Sequence, residues 1–251
     1  MELDAIKILG VNVSIVNPDL ACRKIGQWIE DYKKTYVCVA PVSTIVDCQR
    51  DEVYRKIVNS AGMVTPDGMP LVWLAKRSGK KNIERTYGPD LLLAFCRYGC
   101  LRGYRHFFYG GSEETNKKLI VQLKDVCPTI YIAGTFAPGF LKVGEKEKDQ
   151  VIDQINQAKP DILWVGLGSP KQDHWMSLHR PLLNVPVIAG VGAAFDFVAG
   201  VKQQAPRWMQ RSGLEWLFRL CCEPQRLWKR YLLGNPYFLY LLMKNNLSKR
   251  S

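Results

Sequence analysis

The sequence predicts an α/β fold, with a doubly wound, mostly parallel sheet followed by a basic helical appendage. Three observations carry this. Short apolar runs bounded by glycine or proline alternate with segments of helical periodicity about ten to fifteen residues long. Several of these runs end in glycine turns, where the chain needs conformations closed to other residues. After Gly200 the composition shifts to Arg, Trp, Leu and Tyr, punctuated by Pro206, Pro224 and Pro236. The alternation is Rossmann-like, so ligands are expected outside the carboxyl ends of the strands. The chain divides on this reading into residues 1–200, the α/β unit, and residues 201–251, the appendage.

In order, Ala5 to Val16 clusters apolar residues like a strand or hairpin, and Asn17-Pro18-Asp19 opens a helix over Leu20 to Tyr32. Tyr36 to Ala40 is a strand, Thr44 to Ala61 a helix, and Gly62-Met63-Val64 leads into Thr65-Pro66-Asp67-Gly68. Met69 to Ser78 and Pro89 to Leu101 read as helices. His106 to Tyr109 is a strand stopped by Gly110-Gly111, with Ser112-Glu113-Glu114 as the next helix start. Thr129 to Ala133 is a strand and Gly144 to Ala158 a charged surface helix. Asp161 to Val165 is a buried strand ending in Gly166-Leu167-Gly168-Ser169-Pro170, where Ser169 reads as a helix N-cap with Pro170 at the first helical position. Val185 to Val191 is the last strand. There are no internal repeats or low-complexity linkers.

At 251 residues the chain suits one α/β domain with a small appendage. Its net charge of +12 calls for an acidic partner: nucleic acid, a phosphorylated ligand or an anionic membrane. Ten Lys/Arg against Glu215 and Glu223 put +8 of that charge at or after Lys202. Arg207, Arg211, Arg219, Arg226, Lys229 and Arg230 interleave there with Trp208, Trp216, Phe218, Trp228 and Tyr231. Basic helices with Trp and Leu faces favour a membrane interface over nucleic acid or a merely solvated surface. Eight scattered cysteines build no zinc spacing and read as buried free thiols in a reducing cytoplasm. The N-terminus carries acids where a signal peptide is basic, and no stretch reaches the roughly 18 apolar residues of a spanning helix, so a soluble or peripheral protein is expected.

Four places are able to carry chemistry. The Gly166 to Gln172 turn should present free amides and a helix N-terminus to an anion, with Lys171 and Gln172 in reach. It lacks the third glycine of a dinucleotide fingerprint, and an ordinary βα turn is the competing reading. Asp67 falls at the same sheet edge, where a turn-forming role competes with that of a proton acceptor. The Gly110-Gly111 turn is able to cradle a phosphate. Asp196, between Phe195 and Phe197, reads as a structural or substrate-contacting carboxylate. His174 and His179 do not share a helix face and read as surface or interface residues. No nucleophile elbow and no paired acidic motif for a metal–diphosphate complex occurs.

Several segments together resemble the WecG/TagA/CpsF family of glycosyltransferases. They are Thr65–Trp73, Gly88–Leu91, Tyr109–Gly111, Asp161–Gln172, Gly192–Gly200, Ala205–Arg211 and Leu214–Trp216, extended by Arg219, Glu223-Pro224 and Arg226 to Tyr231. The resemblance implies a metal-independent, cofactor-free, inverting transfer of N-acetylmannosamine or a related hexose. The donor would be a UDP-sugar and the acceptor a polyprenyl-diphosphate-linked sugar at the cytoplasmic membrane face. It also implies a basic appendage closing the site at the membrane, and self-association among family members. Asp67 matches the family's proposed general base, and Gln172 a glutamine of the donor site. Arg219, Arg226 and Lys229 align with appendage cations expected to hold the diphosphate. One departure stands out: Val39-Ala40-Pro41 replaces the family's usual Thr-x-Asn, leaving Ser43 or Thr44 as the nearest substitutes. The expected donor-site set is therefore Thr44, Gly110, Gly111, Gly166, Gly168, Lys171, Gln172, Asp196, Arg219, Arg226 and Lys229, with Asp67 as base. Competing classes are a nucleotide-dependent oxidoreductase, which lacks its acidic ribose partner, and a basic nucleic-acid-binding protein.

Overall fold

The computed structural model describes residues 3–139 and 142–248. Glu2 of the acidic N-terminus and Lys249 and Arg250 of the predicted basic tail lie outside the described residues. An antiparallel hairpin, β1 (Ala5–Ile8) and β2 (Val11–Ser14), precedes a six-stranded sheet. The sheet strands are β3 (Thr35–Ala40), β4 (Met63–Pro66), β5 (Arg105–Gly110), β6 (Tyr131–Phe136), β7 (Ile162–Gly166) and β8 (Val187–Gly190). Their order is β4-β3-β8-β7-β5-β6, and every pairing is parallel. Parallel strands are buried on both faces, which is why they read as continuous apolar runs.

Helices cover both faces. α1 (Pro18–Glu30) starts where the Asn17 side chain accepts the Leu20 N–H at 2.8 Å, with Pro18 at the first turn. The single helix expected over 44–61 is two, α2 (Val42–Arg50) and α3 (Glu52–Asn59). Asp51 breaks it: its backbone is extended (φ −131°, ψ 106°) and its carboxylate caps the Tyr54 N–H at 2.9 Å. An aspartate is worth more as a cap than inside a helix. α4 (Met69–Arg77), α5 (Gly88–Cys100) and α6 (Glu113–Val126) follow the predicted spans closely, Ser112 capping the last. α7 (Asp149–Ala158) starts five residues later than expected, because Glu147 is drawn inward. Its carboxylate accepts from the Tyr109 hydroxyl, and its N–H donates to His179 Nε2 at 2.9 Å. α8 (Lys171–His179) and α9 (Ala194–Val198) complete the α/β unit.

One face packs α1, α5 and α9 through Ile25, Phe95 and Phe195 onto Trp164 and Phe108. The other packs α7 and α8 through Ile155 and Met176 onto Leu163 and Tyr109. Within the core Trp164 Nε1 donates to His106 Nδ1 at 3.0 Å, and burial pushes the His106 imidazole down to about 4, so it stays neutral. The fold is thus Rossmann-like and doubly wound, as expected.

The chain then runs through α10 (Arg207–Arg211), α11 (Glu215–Cys222), α12 (Pro224–Trp228), a π-helical turn over Lys229–Leu233, and α13 (Gly234–Ser248). α13 returns to the α/β unit, where Phe238 is buried with Ile45 and Val46 of α2. Two expectations fail here. Cys100 and Cys127 form a disulfide and Cys221 and Cys222 are exposed, so only Cys22, Cys38, Cys48 and Cys96 are buried free thiols. The end of α5 and the end of α6 meet in space, a proximity invisible in a 27-residue sequence separation. His179 is fully buried, not at a surface, because Trp175 O accepts from its Nδ1 at 2.7 Å while its Nε2 caps Glu147 N–H. Among the described residues no helix is long and apolar enough to cross a membrane.

β5 and β7 lie so close at their ends that a Cβ on Gly110 (φ +130°) would stand 2.7 Å from the Gly166 carbonyl carbon. Gly110→Ala should therefore combine backbone strain with overpacking and cost roughly 2–5 kcal/mol. Thermal unfolding checks it: an unchanged melting temperature would mean that the two strand ends are not packed this closely.

Candidate active site

The carboxyl ends of β4, β3, β8 and β7 open into two cavities, of about 320 Å³ and about 230 Å³. They share a neck formed by Pro41, Asp67, Arg219 and Arg230. Asp67 is delivered there by β4, whose register sets Pro66 opposite Ala40, and the Asp67 N–H donates to Ala40 O at 3.1 Å. The segment before α5 runs beside the same strand end: the Thr86 N–H donates to Pro66 O at 2.9 Å, and Thr65 Oγ1 donates to Thr86 O at 3.1 Å. That alignment brings Arg85 against Asp67.

Arg85 is the centre of the neck's electrostatics. Its Nε donates to the Asp67 carbonyl, and one terminal nitrogen reaches both Asp67 Oδ1, at 3.3 Å, and Glu215 Oε2. Its other terminal nitrogen donates to Gln210 Oε1 at 3.3 Å, and its plane lies 4.1 Å from the Tyr87 ring centroid. All three charged side chains are only 14–16% exposed, so these are contacts in a poorly screened setting. Burial pushes the Glu215 carboxyl up, against the attraction of Arg85, and the nearby Asp67 adds to the rise. Burial also pushes the Tyr87 and Tyr231 hydroxyls up, which keeps both protonated.

Two further guanidiniums complete the neck. Arg219, from α11, is half-buried over the Phe197 ring, 5.5 Å from its centroid, and its buried Nε has no hydrogen-bond partner among the described residues. Arg230 donates from Nε to Ser43 Oγ at 2.7 Å. Three guanidiniums against two carboxylates leave the neck receptive to an anion.

The larger cavity is mostly apolar, walled by Met69, Trp73, Trp216, Phe238 and Leu239. The smaller is polar and lined by the 167–172 and 191–194 turns, the start of α5, and Arg226. Here the structure revises the expected geometry of the 166–172 turn. Ser169 does not cap α8. The Ser169–Pro170 peptide is cis, Pro170 is the residue before the helix, and the Gln172 N–H already bonds Gly168 O at 2.9 Å. Ser169 Oγ instead accepts from Gln172 Nε2 at 3.3 Å. The turn is also not a bare row of amides. Gln172 Oε1 accepts the N–H groups of Gly168, at 3.1 Å, and Gly192, at 2.8 Å. Gln172 is therefore a buried clamp joining the β7 and β8 turns. Beneath it, burial pushes the Asp173 carboxyl up, and Asp173 Oδ2 accepts from the Tyr54 hydroxyl at 2.6 Å.

The other expected residues divide sharply. Gly168, Lys171, Gln172, Arg219 and Arg226 line the smaller cavity, Arg226 also pairing with Glu223 at 2.5 Å. Gly166, Gly110 and Gly111 do not line either cavity: Gly110 lets β5 and β7 approach, Gly166 makes room for the Phe195 ring, and Gly111 takes a left-handed turn conformation (φ +64°). Thr44 is buried in α2, and its neighbour Ser43 is the one that faces the larger cavity. Asp196 pairs with Lys202 at 3.2 Å and contributes to neither. Lys229 stands outside, over the Trp228 ring at 5.5 Å, while the adjacent Arg230 lines both cavities. A π-helical turn moves successive side chains off the α-helical face, and here it is Arg230, next to the Lys229 named by the resemblance, that faces the cavities. Arg85 was passed over in the sequence, and Glu215, quoted within the Leu214–Trp216 segment and as one of two acids in the basic tail, was given no role there. Among the described residues no cluster of three His, Cys, Asp or Glu side chains stands ready to hold a metal ion.

The chain is 29% identical over 218 residues to the N-acetylglucosaminyldiphosphoundecaprenol N-acetyl-beta-D-mannosaminyltransferase of Bacillus spizizenii, spanning 87% of this chain and 82% of that enzyme. It is 27% identical over 243 residues to the enzyme of the same name from Bacillus subtilis, spanning 97% and 83%. For the Staphylococcus aureus enzyme of that name the figures are 27% over 195 residues, 77% and 73%. Residues 6–251 match the model described as "Glycosyl transferase WecG/TagA/CpsF family". With nearly its whole length matched, the chain belongs to the WecG/TagA/CpsF family of glycosyltransferases.

Proposed function

We propose that this glycosyltransferase moves N-acetylmannosamine, or a closely related hexose, from UDP to a sugar carried on polyprenyl diphosphate. The observation that carries the reading is the pair of unlike cavities meeting at Asp67, Arg219 and Arg230. A nucleotide-sugar suits the smaller, polar cavity, and an amphiphilic acceptor suits the larger, apolar one. The names of the relatives, which specify N-acetylmannosaminyl transfer to a diphosphoundecaprenol-linked sugar, support the same assignment.

In this mechanism Asp67 takes the proton of the acceptor hydroxyl, whose oxygen attacks the anomeric carbon from the side opposite UDP. The carbon–oxygen bond to UDP breaks as the new glycosidic bond forms, so the configuration inverts. The departing diphosphate gathers negative charge, which Arg219, Arg230 and Arg226 meet with preorganised positive charge in a site of low water content. Residues 201–251 act as the appendage that completes the cavities. Its outer surface exposes Trp228, Leu232, Leu233, Leu239, Tyr240 and Met243 among basic residues, a combination suited to the anionic inner face of the cytoplasmic membrane.

Three measurements test this. Asp67→Asn should lower turnover by about two to four orders of magnitude while UDP-sugar binding persists; full activity would remove Asp67 as base. Arg230→Ala should raise the donor KM and lower kcat, together costing about tenfold or more in kcat/KM, whereas Lys229→Ala should stay within about threefold. The reverse ranking in steady-state kinetics would restore Lys229 as the diphosphate cation. Leu232→Asp with Leu233→Asp should abolish sedimentation with anionic vesicles yet leave turnover of a short-chain, water-soluble acceptor within about twofold. Unaltered sedimentation would exclude this surface as the membrane contact.

A further inference from the structure

The Asp67–Arg85 pair is not self-sufficient. Arg85 comes from the segment before α5 and Asp67 from β4, but the guanidinium is shared with Glu215, at the first turn of α11. Gln210, from α10, holds the other side of the fork and is itself anchored by donating to Ala205 O at 2.8 Å. The orientation of Arg85 is thus set from two sides, by the α/β unit and by the C-terminal helices. The planar guanidinium is directional and one of its nitrogens serves both carboxylates, so moving one carboxylate turns the donor presented to the other.

We infer that Glu215 is a positioning residue for the transfer: acting through Arg85, it aims the Asp67 carboxylate, so the base is aligned only when α11 is docked. This rests on Asp67 being the base. Nothing in the family description or in the relatives' names assigns Glu215 a role. The groups facing this cluster are Arg85, Tyr87 and Gln210 around the fork, Arg219 of α11, and Tyr231 and Arg230 of the π-helical turn. With Glu215 ionised, the Arg85 charge is divided between two carboxylates. Without it, the guanidinium is held from the C-terminal side by Gln210 alone and no longer aims Asp67. Burial and the neighbouring Asp67 charge push the Glu215 carboxyl up, so protonation of Glu215 as the pH falls loosens the fork and contributes to the acid limb of the activity profile.

The experiment is a set of pH–kcat profiles on the full chain with saturating donor and acceptor. Glu215→Gln should lower the plateau kcat by about ten- to a hundredfold, as a misaimed base does. It should move the acid limb down by about one pH unit and leave the donor KM within about twofold. Glu215→Asp, which keeps the charge but shortens the reach, should keep the limb in place and recover only part of kcat. In an Arg85→Lys background, Glu215→Gln should have little further effect, because the shared fork is already gone. An unmoved acid limb, a loss that appears wholly in donor KM, or additivity with Arg85→Lys would overturn the inference. If Glu215→Gln does not fold, Glu215→Asp decides alone: wild-type kcat in that variant overturns the inference. Asp67→Asn run alongside separates the two claims. An active Asp67→Asn enzyme sinks the base assignment itself, whereas an inactive one beside unmoved Glu215 profiles sinks only the positioning role.

Discussion

The Arg85 guanidinium is the constraint on which the rest of the site depends. An arginine this deeply placed cannot lose its charge and must find acceptors for its fork, or the desolvation of that charge goes uncompensated. The chain supplies them from three directions: the carbonyl and carboxylate of Asp67, the carboxylate of Glu215 and the amide of Gln210. Breaking one partner away from a buried pair of this kind typically costs about 3–5 kcal/mol. The position of the C-terminal helices is therefore tied to the charge balance at the end of β4 as well as to apolar contact.

The opposite wall of the site is built on the other principle, rigid backbone with little free charge. Gly110 lets β5 and β7 come together at Gly166, and Gln172 pins the β7 turn to the β8 turn with one carboxamide oxygen. Asp173 then anchors the first turn of α8 through the Tyr54 hydroxyl. A wall held in this way presents a fixed shape, and the guanidiniums at the neck come from elsewhere, largely from α11 to the π-helical turn. Shape comes from the sheet edge and charge from the tail.

This division explains what could be read in the sequence. The sheet was legible because parallel strands are buried on both faces and so appear as apolar runs closed by glycine. Asp67, Lys171, Gln172, Arg219 and Arg226 were legible because they sit in short motifs at strand ends or in the basic tail. Two kinds of fact were not. Contacts across long separations, such as Arg85 with Glu215 or Cys100 with Cys127, leave no local pattern. Facing also escapes motif reading: Gln172 turns inward as a clamp, Asp196 turns to Lys202, and Arg230 takes the inward place expected of Lys229. The loss of Thr-x-Asn at Val39-Ala40-Pro41 has a local structural answer in Ser43, which receives Arg230 at the rim of the larger cavity.

The basic tail was first a statement about net charge, and its structure separates that charge into two uses. Arg219 and Arg230 point into the neck, where partial burial leaves them less screened than charges on the open surface. Lys229 and the apolar side chains of the π-helical turn and α13 face outward, where screening makes each charge weak and only the sum with apolar contact counts. Arg230 and its neighbours Lys229 and Leu232 lie within one turn of chain. Whatever moves the outer surface must therefore move the inner cation, and the Ser43 contact with it. The charged neck and the exposed apolar surface are thus carried on one turn of chain, which is tied to the α/β unit through the Arg230–Ser43 contact, while α11 is tied to it through Arg85.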